Sequence, residues 1–484
     1  MKDIKTYFIH WQNSLSQNLE GYIYDEQKHL NPTRFIFIKL KSYILKWINN
    51  EFQEKIILLP GIRGVGKTTL LAQVYFLNKY LKNSEEFNLV NQIINKIYIT
   101  ADNLILNDLT LNDFFNFYEQ YIGCSFENLK AKTLILIDEI HYDKKWVLFL
   151  KTLYDRTKSH KNILVIATGS SAILLQSNPD LARRSIIEKL YPLNFLEYVM
   201  LKYQKYPIKG LKQGLSEQIF SSSTAQQVFS YLKQKEPEIL QFWSALPEKQ
   251  EIVLNNYFEI GSFPFNLYVE NKTLATDRVM TIIDKIIEKD ILELKRFDVE
   301  TITKIPSILF LISESDQVNL TNISKTLSIH IDTLRRVLDV LTKSEIIIKI
   351  PSFGKAYSQA RKPLKYLFLS PAIRYCLLKG IVSSEIKGKL LEDYWALMYA
   401  KNITLLNNPQ IFYDSSKGGA DFILKFRDGR KILIEVGFNK EEIDQIKFTA
   451  KKVKPDYSIL IGSQKLELVN NSIVKIPFIY GMLI

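Results

Sequence analysis

Apolar residues run without alternation at Lys55–Leu59, Thr133–Asp138 and Asn162–Ser171. Runs of this kind predict parallel strands covered on both faces. A helix is predicted over Thr68–Leu81, behind the first run, and a further strand over Ser185–Leu190. Leu201–Lys295 reads as mainly helical. It has aromatic and proline punctuation around Phe242 and Trp243, and a charged amphipathic helix at Ile282–Leu294. Shorter helices follow at Ile305–Ser315, at Thr321–Leu327 with Thr321 as N-cap, and at His330–Ser344. In the last of these, Leu334, Val337, Leu338 and Leu341 share one face. Ile346–Pro351 and Lys365–Ser370 then read as two strands. Leu390–Ala400 reads as a helix. Strands from Gly419 and over Lys431–Val436 are joined by a hairpin turn at Asp428-Gly429.

The first strand-to-helix junction carries chemistry. Gly61–Thr69 reads G-I-R-G-V-G-K-T-T, a complete G-x-x-x-x-G-K-[ST] phosphate loop. Gly61, Gly64 and Gly66 let backbone N–H groups turn inward with those of Arg63 and Val65. Lys67 reaches the β- and γ-phosphates, and Thr68 can place its hydroxyl on Mg²⁺, with Thr69 following. The helix that starts there adds its positive end to the anion site. The Thr133–Asp138 strand supplies the second half. Asp138 would hold the Mg²⁺ shell, and Glu139 would polarise the attacking water as general base. ATP and Mg²⁺ are the expected cofactors.

The third run ends in small hydroxyl residues, so Thr168 or Ser170 can reach the attacking water or the γ-phosphate. Arg183 and Arg184, in D-L-A-R-R, are candidates to stabilise developing phosphoryl charge, on their own chain or on a neighbour's site. His141, in D-E-I-H, either couples the phosphate site to a partner surface or packs after the strand.

These motifs together resemble a prokaryotic AAA-type P-loop ATPase of the archaeal-ATPase group, which has origin-recognition-like relatives. The resemblance rests on G-I-R-G-V-G-K-T-T-L, L-I-L-I-D-E-I-H with Trp146 after it, T-G-S-S and L-A-R-R. It continues through Tyr191-Pro-Leu-Asn-Phe-Leu-Glu-Tyr198, Gly261-Ser-Phe-Pro264 and E-K-D-I at Glu288–Ile291. Ser262 stands where the group usually has a second glycine. The resemblance implies a helical lid, a winged helix-turn-helix and, in many members, a nuclease-like C-terminal region. The expected fold class is therefore α/β, a P-loop NTPase parallel-sheet core. The expected order is a lead-in over 1–45, the core over 46–200, a lid over 201–300, a winged helix over 301–380 and an α+β restriction-endonuclease-like domain over 385–484. Of the lead-in, Asp3–Leu19 reads as a helix and Phe35–Leu45 as strand or helix. A cover over the nucleotide site is the preferred reading, ahead of a partner contact.

Composition agrees with a multidomain globular chain: 484 residues, 46% hydrophobic. Cys124 and Cys376 lack metal-like spacing and read as buried thiols in a reducing cytoplasm. No apolar run is long enough to span a membrane, and the N-terminus lacks a signal-peptide core. The formal charge of +13 points to a polyanionic partner, although AT-rich coding also favours lysine. Pro351–Lys379 holds Lys355, Arg361, Lys362, Lys365, Arg374 and Lys379 and no acid. With Arg335 and Arg336 on the His330–Ser344 helix, this predicts duplex-DNA contact. A recognition helix would enter the major groove and the wing would lie on phosphates. A protein partner or homo-oligomer is the alternative.

At the C-terminal end, Asp421 and Glu435 sit on consecutive strands, with Glu392 on the preceding helix. Two carboxylates so placed can bind Mg²⁺. The arrangement resembles the restriction-endonuclease-like D…E-x-K signature, but Gly437 stands at the lysine position. Lys440 or Lys431 is left as a substitute, and cleavage is not expected.

Overall fold

The computed structural model describes residues 4–169, 181, 183–291, 297–315, 319–355, 362–406 and 408–484. Ser170 and Arg361 lie outside them. The chain divides into two compact units, Met1–Tyr191 and Pro192–Ile484.

The first unit opens with helices α1 (Ile4–Ile23) and α2 (Phe35–Ile48). Phe37, Leu40, Ile44, Trp47 and Ile48 of α2 are buried, so Phe35–Leu45 is a helix. There follow β1 (Ile56–Pro60), α3 (Lys67–Tyr75), α4 (Ser84–Val90), β2 (Ile93–Thr100), α5 (Ala101–Leu106), α6 (Leu111–Ile122), β3 (Lys132–Asp138), α7 (Trp146–Arg156), β4 (Ile163–Gly169) and β5 (Ser185–Ile187). The helix expected over Thr68–Leu81 ends at Tyr75 and continues as a 3₁₀ turn, Leu77–Tyr80. The five strands are all parallel, in the order β2-β3-β4-β1-β5. Leu134, Leu136, Leu58 and Ile166 are fully buried. Each such side chain is worth about 1.5–3 kcal/mol of transfer free energy, which is why unalternating runs occupy these positions. β2 was not among the expected strands, because Asn95 and Lys96 interrupt its apolar run.

Register brings the chemistry together. Leu59 pairs with Thr168, Pro60 with Gly169, and Thr100 with Asp138. The carboxyl ends of β1, β2, β3 and β4 therefore lie side by side. β4 stands between the phosphate-loop strand and the Asp138 strand.

The second unit starts with helices α8 (Phe195–Tyr203), α9 (Leu211–Ser221), α10 (Ala225–Ser244), α11 (Gln250–Asn256) and α12 (Lys272–Lys285). Two of the motifs behind the resemblance meet here. A Cβ on Gly261 would sit 2.6 Å from the Tyr198 ring. The Leu193 N–H donates to the Ser262 carbonyl at 2.8 Å. α13 (Val299–Glu314), α14 (Leu320–Thr326) and α15 (Ile331–Lys343) lead to the antiparallel hairpin β6 (Ile347–Ile350) and β7 (Lys365–Phe368). The cap of α14 is Asn319, not Thr321: the Asn319 side chain accepts from the Asn322 N–H. After α16 (Pro371–Leu377) and α17 (Ser384–Lys401) comes a six-stranded mixed sheet in the order β12-β13-β11-β10-β9-β8. Its strands are β8 (Gln410–Phe412), β9 (Phe422–Lys425), β10 (Lys431–Val436), β11 (Tyr457–Ser463), β12 (Glu467–Val469) and β13 (Ile473–Pro477). Gly429 closes the β9–β10 turn at φ 92°. Cys376 is buried, but Cys124 is only half buried. No helix among the described residues is long and apolar enough to cross a membrane.

Candidate phosphate site and a second carboxylate cluster

The phosphate loop has the backbone its sequence requires. Gly64 and Gly66 adopt φ 81° and 91°, a left-handed conformation in which only glycine is unstrained. Gly61 is needed for a different reason: a Cβ there would meet the Leu190 carbonyl oxygen at 2.4 Å. Lys67 is buried and donates to the carbonyls of Gly61 at 3.0 Å and Ile62 at 3.3 Å. Its ammonium also lies 3.7 Å from Glu139.

Asp138 is 3% exposed. It accepts from the Thr68 hydroxyl at 2.6 Å, from the Tyr98 hydroxyl at 3.2 Å and from the Thr168 hydroxyl. Burial, then repulsion from Glu139, pushes its carboxyl up, against the pull of those hydroxyls and Lys67. Burial and Asp138 likewise push the Tyr98 phenol far up, so it remains a donor. Glu139 turns off the strand at φ 49°. A non-glycine residue there costs roughly 1–3 kcal/mol, a strain characteristic of functional sites. Its N–H donates to Thr168 at 3.1 Å, and its carboxylate lies 3.4 Å from the His141 ring. Burial first, then Lys67 and Arg63, holds the His141 pKa down to about 3, so the imidazole is neutral.

Thr68 and Asp138 share one hydrogen bond where their oxygens would flank Mg²⁺, beside a glycine nest. These residues fit Mg²⁺ and a nucleotide phosphate chain. The metal would neutralise phosphate charge and the loop would orient it. Thr168, rather than being free for water, is committed to Asp138 and the Glu139 N–H.

Three further residues complete the site. Tyr98, on the unforeseen β2, orients Asp138. Arg34 is buried and donates to the carbonyls of Val65 at 2.6 Å and Tyr191 at 2.7 Å, bracing the loop from outside. Asp102 lines the cleft, its carboxyl pushed up by burial and then by Asp138 and Glu139. That cleft, about 910 Å³, is bounded by Thr68, Asp138 and Glu139 on one side and by Tyr7, Trp11 and Asn18 of α1 on the other. The Trp11 indole donates to the Tyr98 carbonyl at 2.7 Å. Nothing near these residues in sequence marks them: the sheet order places Tyr98, and α2 carries Arg34 to the loop.

Arg183 and Arg184 are elsewhere. Ser185 pairs with Ile56, the first residue of β1, and the loop begins beyond its last. That is about 16 Å along the strand at ~3.3 Å per residue. Arg184 lies 3.7 Å from Asp155 and over the Tyr154 ring. The fold does not bring either arginine to its own chain's phosphate site.

In the second unit, Glu392, Asp421, Glu435 and Lys440 come together. The Val436 N–H donates to Asp421 at 3.0 Å, and the Asp421 N–H to Glu435 at 3.2 Å. Lys440 donates to Glu435, and to Gln445 at 2.5 Å. A Cβ on Gly437 would lie 2.8 Å from the Lys440 side chain, so the glycine makes room for that lysine. Lys431 is not part of the cluster, because it donates to the Val453 carbonyl at 2.6 Å. Lys365, not assigned to this cluster from the sequence, forms an ion pair with Glu392 and lies 3.7 Å from Asp421. Burial and then Glu435 raise Asp421 to about 7. With ammoniums on its carboxylates the cluster does not fit a divalent cation. Among the described residues no His, Cys, Asp or Glu group converges as a metal-ligand set.

The basic stretch Pro351–Lys379 is correspondingly less exposed than its composition suggests. Lys365 and Arg374 are internal, and Arg374 is fully buried against Asp393 and the Ser313 carbonyl. Lys355 and Lys379 are exposed and Lys362 is half-buried. On α15, Arg335 pairs with Asp332 and Arg336 donates to Thr333.

Comparison with known proteins agrees with the core. Residues 53–199 match an AAA domain model, and residues 252–383 match a domain of unknown function, DUF8612. The fold is also similar to the Walker-type ATPase PABY2304 of Pyrococcus abyssi. Identity there is 15%, with 70% of this chain and 95% of that one covered and a TM-score of 0.37. For the Aeropyrum pernix ORC1 protein in complex with DNA, identity is 11%, coverage 72% and 93%, and the TM-score 0.30. At these scores, strand order and site geometry, not superposition, define the fold. "Uncharacterized protein MJ1637" of Methanocaldococcus jannaschii is 34% identical over 454 residues, 92% of this chain and 88% of that protein. The chain belongs to one family with MJ1637, and its nucleotide-binding part is an AAA domain.

Proposed function

We propose that the chain hydrolyses Mg²⁺-bound ATP and uses the nucleotide state to control a DNA-binding second unit. The observation that carries the enzymatic part is the Thr68–Asp138 contact at 2.6 Å beside the Lys67–Glu139 approach at 3.7 Å. Lys67 reaches the β/γ-phosphates, Thr68 and Asp138 hold Mg²⁺, and Glu139 takes the proton of the attacking water. His141, neutral, positions Glu139. Arg183 or Arg184 can act only on a neighbouring subunit. Hydrolysis per chain should then rise with protein concentration, and a rate independent of dilution removes that role.

Duplex DNA is the preferred partner because Arg335, Arg336 and Lys355 are exposed on α15 and the β6–β7 connection. They would bind phosphates together with Lys362; Arg361, named with them from the sequence, lies outside the described residues. A protein-partnered switch is the second reading. It is favoured by the mixed face of α15, where Arg335 pairs with Asp332 and Lys343 with Asp339. Steady-state hydrolysis with and without duplex DNA separates the two, with Glu139→Gln as the blank. Stimulation that fades with salt supports DNA; indifference to DNA supports the protein partner. Plasmid DNA stays intact with Mg²⁺ or Mn²⁺. Cleavage that disappears in Asp421→Ala overturns that expectation.

A further inference from the structure

The second carboxylate cluster draws one of its two cations, Lys365, from far along the chain. Glu392 comes from α17, Asp421 from the start of β9 and Glu435 from β10. Lys440 belongs to the loop after β10. Lys365 is the first residue of β7, in a hairpin formed before any of the carboxylates appears in the sequence.

The fold delivers Lys365 through specific contacts. The segment after β6 bridges to the strand region at Tyr413: the Phe353 N–H donates to the Tyr413 carbonyl at 2.8 Å, and the Tyr413 N–H to the Pro351 carbonyl at 3.1 Å. At the other end of β7, the Phe368 N–H donates to Asp393 at 2.8 Å, the residue after Glu392. The hairpin is thus tied at both ends to the elements that carry the carboxylates. The Lys365 ammonium lies 5.5 Å from the Phe422 ring centroid, and its side chain is 6% exposed. Glu392 and Asp421 side chains are 14% and 15% exposed.

Charges this far from water need counter-charges within contact distance. Three carboxylates with two ammoniums come close to balance. A divalent cation entering beside Lys365 would meet a fixed positive charge in a poorly solvated place, where repulsion is strong.

We infer that the Lys365 ammonium occupies the place between Glu392 and Asp421 that a divalent cation would take, making this a metal-excluding site filled by a tethered cation. Removing that charge should open the site. Lys365→Met keeps the apolar stem and deletes the ammonium. The test is Mn²⁺ binding to the full chain without nucleotide, read by electron paramagnetic resonance. Lys365→Met should gain one Mn²⁺ site that binds about tenfold or more tighter than wild type at that position, since affinity follows ligand charge count. Asp421→Asn added to Lys365→Met should abolish it. A folded Lys365→Met protein that binds no more Mn²⁺ than wild type overturns the inference, because protons would then be taking the lysine's place. A second arm does not depend on that variant folding. Asp421→Asn in the otherwise unchanged chain should leave Mn²⁺ binding unaltered, and loss of a site there overturns the inference outright.

Discussion

Lys67 and Lys365 each stand near carboxylates, and the two settings differ. Lys67 is held by carbonyls of its own loop, with Glu139 3.7 Å away, and its neighbours Thr68 and Glu139 line a cleft. On the proposed function its charge serves an incoming phosphate. Lys365 is inserted directly between Glu392 and Asp421, and its charge is consumed internally. On that proposal the same ammonium is a ligand-binding group where loop carbonyls hold it and one carboxylate only approaches it. It is a structural counter-ion where carboxylates hold it.

The largest test of this contrast is on hydrolysis. Lys67→Ala should lower the phosphate-release rate by roughly 10²–10³ or more, the loss typical of a removed charge-stabilising donor. Lys365→Met should leave that rate within about twofold, judged against the usual small effect of substitutions away from a site. Equal losses in both would erase the distinction. Next comes Arg374→Met, which strands the fully buried Asp393. A cost of about 3–5 kcal/mol in urea unfolding is expected. Lys343→Met breaks an exposed pair with Asp339 and should cost at most ~0.5 kcal/mol. Tyr98→Phe removes a hydroxyl from Asp138 and should raise the Mg²⁺ requirement of hydrolysis about tenfold. A change in maximal rate without a change in Mg²⁺ dependence would mean that Tyr98 does not orient the metal ligand.

The last test is the acid limb. The His141 pKa is depressed from 6.5 to about 3. The unfolded chain therefore binds a proton that the native chain refuses, and stability falls as pH drops from 6.5 toward 3. Urea midpoints across that window should fall less steeply in His141→Gln than in wild type. Identical slopes would show that His141 is not held neutral.

The first of the two settings was largely legible in the sequence. The G-I-R-G-V-G-K-T-T loop uses its own backbone as ligand, so contiguous residues carry both its conformation and its chemistry. Asp138 and Glu139 were legible because a short unalternating apolar run rich in β-branched residues reads as a buried strand, with its polar end emerging at the sheet's carboxyl edge. Tyr98 and Arg34 were not, because their roles come from strand order and from α2 docking beside the loop. In the second setting Asp421, Glu435 and Glu392 were legible as types at suitable spacing. Of the lysines that serve them, Lys440 was legible as the substitute candidate and Lys365 was not. Gly437 looked like a missing lysine, whereas it is the vacancy into which Lys440 folds. Lys365 and Arg374 looked like part of a DNA-facing basic stretch.

What the sequence by itself determined, then, is the phosphate loop, the carboxylates at the strand end and the parallel sheet that holds them. Backbone conformation and apolar periodicity are local properties, and they suffice for those. Only the tertiary structure decided which charges face outward. Whether a lysine meets solvent, phosphate or a buried carboxylate is set by what packs against it from elsewhere in the chain. Desolvation makes that placement worth several kcal/mol whichever way it falls.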